Sequence, residues 1–594
     1  MNNIYKTSIA VVLISGLFSM GISAQTAKRD TTLNRQVNLE REYTPTIQDA
    51  SKVNTLPSLH QPQKKQYDIR FENAIPTVNI NSYPIGNPGS GDIQTNMDYS
   101  KHRGYFKFGA GMYTNLEGAL GYRIVDGEND RLDLFATHSF TDARIKYLED
   151  TGHDFDKVKA KDMENMVKLR YNHKFESLDW YLSGSFLNDQ YNYYGNPNQV
   201  FIIGGGSISP EDDAFQKKQS VSNIEVETGV QSKESENITY SGHVRYNRFT
   251  AKYGPSIDYD GAKANLIDAH VNLLFPFMDS FKAGVKGGVF YQGTDKVNFG
   301  VEDDDLYRNM TVLNANPYIN IGGDNFLVSL GVNLSHAFDL FDKSLIAPTA
   351  KINWNFEEKS MFYLNVDGGI NNNNLLYIFR ENKYINPFDR VAISRTPYDI
   401  KAGVKSGVIS GFEFDIFGGY KYTKNQYLYV PGATTSWHNV SNVLYADMGT
   451  GHFGGSINTK LIPYTDLSLA VTGLFYNVKE YTDYNPVNSS STQIEKKPWG
   501  LPSVKFGFNA DFTFIDNLIL TANYAFEGGR KTYFLGESVK MDAINELSFK
   551  ANYSVLDWFS IYAKANNILN QKYERYYGYT LQGISVLGGV SLKF

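Results

Sequence analysis

From about Lys101 to Phe594, apolar and polar side chains alternate in run after run. In 517–527, Leu518, Leu520, Ala522, Tyr524 and Phe526 share one face, while Thr521, Asn523 and Glu527 share the other. In 547–555, Phe549, Ala551 and Tyr553 alternate with Ser548, Lys550, Asn552 and Ser554. Further upstream, Ile267, Ala269, Val271, Leu273 and Phe275 alternate with Asp268, His270 and Asn272. Successive side chains of a strand point to opposite faces, so a period of two predicts strands with one apolar and one polar face. The runs reach roughly ten residues or more, enough for a tilted strand to cross a bilayer.

The connections sharpen this reading. Tight turns rich in Asp, Asn, Gly or Ser fall at 126–131, 176–179, 232–237, 277–280, 322–325, 357–360, 410–412, 463–466, 515–517 and 555–557. Such residues tolerate turn geometry. Longer polar connections lie between them, as at 142–165, 191–218, 295–309, 371–395, 425–442 and 481–500. Short hairpins on one rim and long loops on the other mark an antiparallel transmembrane barrel. Ten tight turns plus the closing seam imply eleven hairpins, hence an all-β barrel of about 22 strands. An even number puts both ends of the barrel on the periplasmic side.

Composition places this barrel in a membrane reached by secretion. Lys6, the apolar run from Ile9 to Met20 and Ile22-Ser23-Ala24 read as a signal peptide over 1–24. No later stretch is long and apolar enough for a spanning helix, and mean hydropathy is −0.37. Aromatic residues make up 14% of the chain, with Tyr the leading type, which suits girdles at the two membrane interfaces. The absence of cysteine excludes disulfides and a lipid-modified N-terminal Cys, and a net charge of −6 carries no nucleic-acid footprint. Phe594 ends the alternating strand Ile584, Val586, Gly588, Val590, Leu592. A terminal aromatic in this position resembles the sorting signal read by the bacterial outer-membrane insertion machinery.

Near the C-terminus, Asn566-Asn567-Ile568-Leu569-Asn570-Gln571-Lys572-Tyr573-Glu574 is followed by Tyr577-Gly578-Tyr579 and then Gly588-Gly589-Val590-Ser591-Leu592-Lys593-Phe594. This block resembles the final hairpin of TonB-dependent receptors. The resemblance covers about the last fifty residues in motif and the whole barrel in layout. It implies an outer-membrane receptor that binds or moves a surface ligand. Those receptors carry a globular plug before the barrel, whereas the stretch 25–100 is rich in Pro, Gln and Asn and holds none of the plug motifs. It reads as an irregular periplasmic or lumen-filling segment preceding the barrel at 101–594. Within it, Val37, Leu39, Arg41 and Tyr43 alternate, and the fragment is a candidate strand for docking on a partner's sheet edge.

A wide barrel needs something in its lumen. The candidates are the N-terminal segment, an inward-folded loop, or a partner such as a plug protein or lipoprotein. The amide- and aromatic-rich loop with Asn371–Asn374, Tyr377, Phe379, Tyr384 and Phe388 reads either as a ligand surface or as a lid.

No catalytic, cofactor or metal constellation emerges. His138, His173, His243, His270 and His336 fall on different strands and read as lumen-facing or loop residues. Glu302-Asp303-Asp304-Asp305 lacks EF-hand spacing, and Gly204-Gly205-Gly206 lacks the Lys-Ser/Thr of a phosphate loop. The expected function is therefore that of a non-enzymatic, receptor-like barrel in contact with outer-membrane lipids, gated by a partner. The alternative is a non-transporting structural or assembly subunit of an outer-membrane complex.

Overall fold

The computed structural model describes residues 102–594 apart from 149–156, 196–217, 234–237, 255–259, 279, 296–308, 339–342, 358–359, 388, 390, 408–410, 432–439, 483–494 and 535–536. The leader over 1–24, the segment 25–100 with Val37, Leu39, Arg41 and Tyr43, the glycines at 204–206 and the acids at 302–305 lie outside the described residues. So does Phe388.

Twenty-four strands, numbered in chain order, are present among the described residues. Twenty-two of them form one antiparallel sheet. The first, β1 (Gly104–Gly111), pairs with the last, β24 (Ser585–Lys593), from Tyr105 opposite Lys593 to Gly111 opposite Leu587, which closes the barrel. Each strand otherwise pairs with its neighbours in the chain. The exception is a small outer hairpin, β20 (Lys531–Phe534) with β21 (Glu537–Lys540). It is inserted between β19 (Leu518–Gly528) and β22 (Ile544–Leu556), which pair directly. Each of the ten expected tight turns separates an even-numbered strand from the next, with which it pairs, and the strand count matches expectation.

The alternation read from sequence becomes a sidedness. In β4 (Val158–Lys174), Val167 and Leu169 are exposed on the outside. In β7 (Thr239–Ala251) and β8 (Lys263–Met278), Val244, Tyr246, Ile267 and Val271 do the same. Exposed apolar side chains arranged as a continuous band around a closed barrel match the lipid-facing belt of a transmembrane barrel. Phe175, Phe277, Trp354, Tyr464 and Trp558 stand exposed at the short-turn rim and form an aromatic girdle there. Among the described residues no helix is long and apolar enough to cross a membrane, so strands make the crossing. The barrel therefore sits in a bacterial outer membrane, with the short turns gathered on one rim.

Phe594 lies at the seam. Its backbone N–H donates to Gly104 O at 2.9 Å, the Gly104 N–H donates to Phe594 O at 2.7 Å, and its ring stacks on Tyr122 with centroids 5.9 Å apart. A Cβ at position 104 would stand 2.8 Å from the Phe594 ring, so glycine there lets the last residue lie flat over the first strand.

Several strands are far longer than a bilayer requires. β15 (Phe412–Pro431) has 20 residues and β16 (Ser441–Thr459) has 19. At about 3.3 Å per residue, even with a tilt of about 45°, they project well beyond an apolar band about 25 Å tall. The outer half of the barrel is thus a proteinaceous chamber, and its interior can be filled by loops.

Candidate functional site

That chamber is filled from one loop. Between β13 (Ser360–Asn371) and β14 (Ser394–Ser406), the chain turns inward and forms α1 (Leu375–Glu381), the only α-helix among the described residues. Asn374 caps it: its side chain accepts the Tyr377 N–H at 2.8 Å. Asn373 ties the loop's two ends together, donating to Ala392 O at 2.9 Å and to Ser394 Oγ at 2.7 Å. The asparagine run serves the loop's own geometry.

From there the loop crosses to distant walls. The Leu375 N–H donates to Gln292 Oε1 of β9 (Phe281–Thr294) at 3.0 Å. Phe379 packs on Phe249 of β7, with ring centroids 5.3 Å apart. Lys383 reaches Asp162 Oδ1 of β4 at 2.9 Å and Asp189 Oδ2 of β5 (Leu178–Asn192) at 2.8 Å. The return path pairs with the mouth of β16: Ser441 N donates to Tyr384 O at 2.7 Å, and Asn386 N donates to Ser441 O at 2.8 Å. Asp389 accepts the Val443 N–H.

A second loop locks onto the first. Tyr579, from the connection between β23 (Phe559–Asn566) and β24, stacks on Tyr384 with centroids 3.8 Å apart and planes 14° from parallel. Tyr194 meets both rings edge-on. The Tyr576 hydroxyl donates to Glu381 O at 2.6 Å, and Tyr427 and Tyr429 of β15 donate to the Glu381 carboxylate at 2.6 and 3.2 Å. Leu375, Ile378, Phe379, Tyr384 and Ile385 are all buried in one apolar cluster with wall residues such as Phe249, Leu266 and Val312. Each such burial is worth about 1.5–3 kcal/mol. The loop is a septum packed like a protein core, and the lid reading of Phe379 and Tyr384 is the one the structure realises.

Electrostatics bind the septum at three buried points. Burial works against the charge of Lys383, but Asp162 and Asp189 outweigh it and hold the amine above the ordinary lysine range. Burial lifts the Asp389 carboxyl well above its ordinary value, with only the Val443 N–H acting the other way. Glu381 is raised too, again by burial, against the two tyrosine hydroxyls.

The C-terminal motif acquires a physical role. Asn567 and Asn570 adopt left-handed backbone angles, φ 47° and 49°. Asn567 Nδ2 donates to Gln571 O at 2.8 Å and Gln582 O at 3.1 Å, and Asn570 Oδ1 accepts the Ile584 N–H at 3.0 Å. These turns aim the loop that carries Tyr576 and Tyr579 at the septum. Arg530 braces it from outside by donating to the carbonyls of Arg575, Asp542 and Glu574. Burial and the neighbouring Arg575 bring Arg530 down to about 10.

The histidines divide by strand parity, which corrects the reading of His138, His173 and His336 as lumenal or loop residues and agrees with it for His243 and His270. His138 bonds Asn165 at 2.7 Å on the face that carries Val167 and Leu169, and His336 bonds Ser344 at 2.8 Å on the face of Leu330, Val332 and Leu334. Both belong to the outer surface of the wall, as does His173 by the same parity. His243 and His270 face inward and are register partners, which brings together two residues that looked scattered in the sequence. Lys383, Asp162 and Asp189 carried no local signal at all.

No protein-family model and no curated protein matches the chain. Solved structures do. A variant of the ferric enterobactin receptor PfeA from Pseudomonas aeruginosa, in complex with enterobactin, superposes with a TM-score of 0.59 at 9% identity, covering 83% of this chain and 81% of that one. The ferripyoverdine receptor of the P. aeruginosa outer membrane gives 0.57 at 11% identity, covering 83% and 72%. The ferric-catecholate import receptor Fiu of E. coli K12 gives 0.57 at 12%, covering 83% and 82%. The barrel is TonB-dependent receptor-like in fold. At these identities the likeness speaks for architecture alone.

Proposed function

We propose that the protein is a receptor-like outer-membrane transporter whose passage is controlled by its own inward-folded loop. The observation that carries this is the reach of residues 372–393 from β13 and β14 to Asp162 and Asp189 on a far wall. A ligand or partner acting from the outer surface reaches the septum through the loops that hold it, among them the one with Tyr576 and Tyr579. Displacing that loop removes the stacking partner of Tyr384 and loosens the septum. The fold neighbours are receptors for iron–chelate ligands by name, which makes a small surface-captured solute the natural cargo class. A partner that gates the pore, or that docks on the strand Val37, Leu39, Arg41 and Tyr43, belongs to the same reading.

Planar-bilayer recording tests it. The intact barrel should be closed, and removal of 372–393 should produce stable conductance steps. A barrel that never conducts, with or without this loop, overturns it.

One observation favours a second reading. Leu375, Ile378 and Ile385 are as buried as residues of a permanent core, which suits a retired receptor barrel serving as an assembly subunit. Recovery of a stoichiometric partner under mild detergent, together with a barrel that stays closed with that partner, would favour it.

A further inference from the structure

We propose that His243, Asp268 and His270 form a binding site for a divalent transition metal of the zinc class on the lumen wall. The site lies apart from the septum and does not depend on its role.

The geometry is set by the sheet. His243 of β7 and His270 of β8 are direct register partners, and Asp268 lies two residues along β8, so all three side chains share the inner face. One ligand atom from each lies within 4.8 Å of the others. A tetrahedral ion with bonds of about 2.0–2.1 Å sets its ligand atoms about 3.3 Å apart, so small rotations of side chains on a rigid wall suffice to close the site.

The contacts within the cluster point to a shared centre. His270 Nε2 stands 2.8 Å from Asp268 Oδ1. That oxygen is nevertheless buried and accepts no aligned hydrogen bond. With no aligned donor, that oxygen is left available to a cation placed beside the two imidazoles. Arg245 does not occupy that position. Its Nη1 is 4.0 Å from the other carboxylate oxygen of Asp268, and its Nε is engaged by Glu227. Glu225 also faces Arg245 at 3.8 Å, so Asp268 is not the guanidinium's main partner.

The donor set selects the class of ion. Two imidazoles and one carboxylate suit zinc, cobalt, nickel or copper over calcium and magnesium, which prefer oxygen. Three protein ligands leave a fourth position, which opens on a cavity of about 1060 Å³ lined also by Asn272, Lys286, Asn314 and Asn316. Gly288 leaves room for the imidazole: a Cβ there would stand 2.7 Å from His270 Nδ1 and 2.5 Å from Asn314 Oδ1.

The test uses the full chain purified in detergent without a polyhistidine tag, titrated calorimetrically with zinc chloride, with cobalt absorption as the geometric readout. One zinc ion per barrel and the intense visible bands of tetrahedral cobalt are expected. Losing an outer-sphere partner typically costs a site 10–100-fold in affinity, so removing both direct histidine ligands (H243A with H270A) should weaken binding by at least about 100-fold. D268N should weaken it by about 10-fold or more, and G288A should alter the cobalt spectrum by turning the imidazole. The outer-face pair H138A with H336A should bind as the wild type does. Heat-modifiable migration on gels verifies that each variant is a folded barrel. If the wild type takes up no stoichiometric zinc, or if the folded H243A/H270A variant retains it undiminished, the proposal is overturned.

Discussion

Lys383 and Asp162, 221 residues apart in the chain, meet at 2.9 Å inside the barrel. Their side chains are 11% and 7% exposed, and Asp189 shares the amine. Removing one partner of a buried pair leaves an uncompensated charge, at a cost of about 3–5 kcal/mol. Lys383→Ala should therefore release the septum from the β4–β5 wall. Bilayer recordings should show conductance steps absent from the wild type, and the loop should become protease-sensitive while the barrel persists. An equally closed and protected variant would show that this contact does not hold the loop.

Tyr579 tests the second fastening. Tyr579→Ala deletes the ring stacked on Tyr384 and leaves a cavity beside Tyr194. Large aromatic truncations in a core cost about 3–5 kcal/mol. The effect should appear as faster proteolysis of the septum, with the heat-modifiable shift of the barrel unchanged. A loss of the barrel itself would mean that the loop supports the whole fold.

The septum should also loosen as pH rises. Asp389 and Glu381 both have raised values in the folded state, above the ordinary 3.8 and 4.5. The docked loop therefore holds their protons more tightly than the released loop does. Their contribution to docking is complete below the ordinary carboxylate values and is lost as pH climbs through the raised ones. Lys383 keeps its charge throughout this window, because its own shift is upward. Protease sensitivity of the loop, and conductance in the Lys383→Ala variant, should thus increase from acidic toward neutral and alkaline pH. Asp389→Asn keeps an acceptor for the Val443 N–H and should flatten the dependence. An opening probability that falls with pH would contradict the assignment.

Asn567 isolates the motif's turn chemistry. A left-handed backbone angle costs most L-residues about 1–2 kcal/mol, and Asn tolerates it better. Asn567→Ala incurs that strain and loses the bonds to Gln571 O and Gln582 O, whereas Asn567→Gly loses only the bonds. The Ala variant should lower the temperature of the heat-modifiable transition more than the Gly variant. Equal shifts would assign the whole effect to the side-chain bonds.

Phe594 separates sorting from packing. Phe594→Ala removes a ring stacked on Tyr122, a contact worth about 0.5–1.5 kcal/mol beyond its buried area. A small drop in stability is expected from packing alone. A severe fall in the amount inserted, with normal stability of the inserted fraction, would assign the residue to recognition by the insertion machinery.

The barrel was legible in the chain because its rules are local. Period-two alternation, as in the run from Ile267 to Phe275, sets which face meets lipid. Turn residues set where strands reverse, and counting reversals sets the size. Asn566–Tyr579 was visible as a motif, although its turn geometry was not. The histidines show where locality fails: the parity of His138 and His336 follows from their neighbours, but the pairing of His243 with His270 needs the register of two strands.

The sequence by itself thus determined the strand count, the lipid-facing surface and the short-turn rim, because each depends on residues within a few positions of one another. The tertiary structure alone decided what lies inside. Lys383 finds Asp162 and Asp189, and Tyr384 finds Tyr194 and Tyr579, only after the sheet has closed into a cylinder. Closure brings walls that are hundreds of residues apart within reach of one loop, and no pattern along the chain encodes which wall that loop will touch.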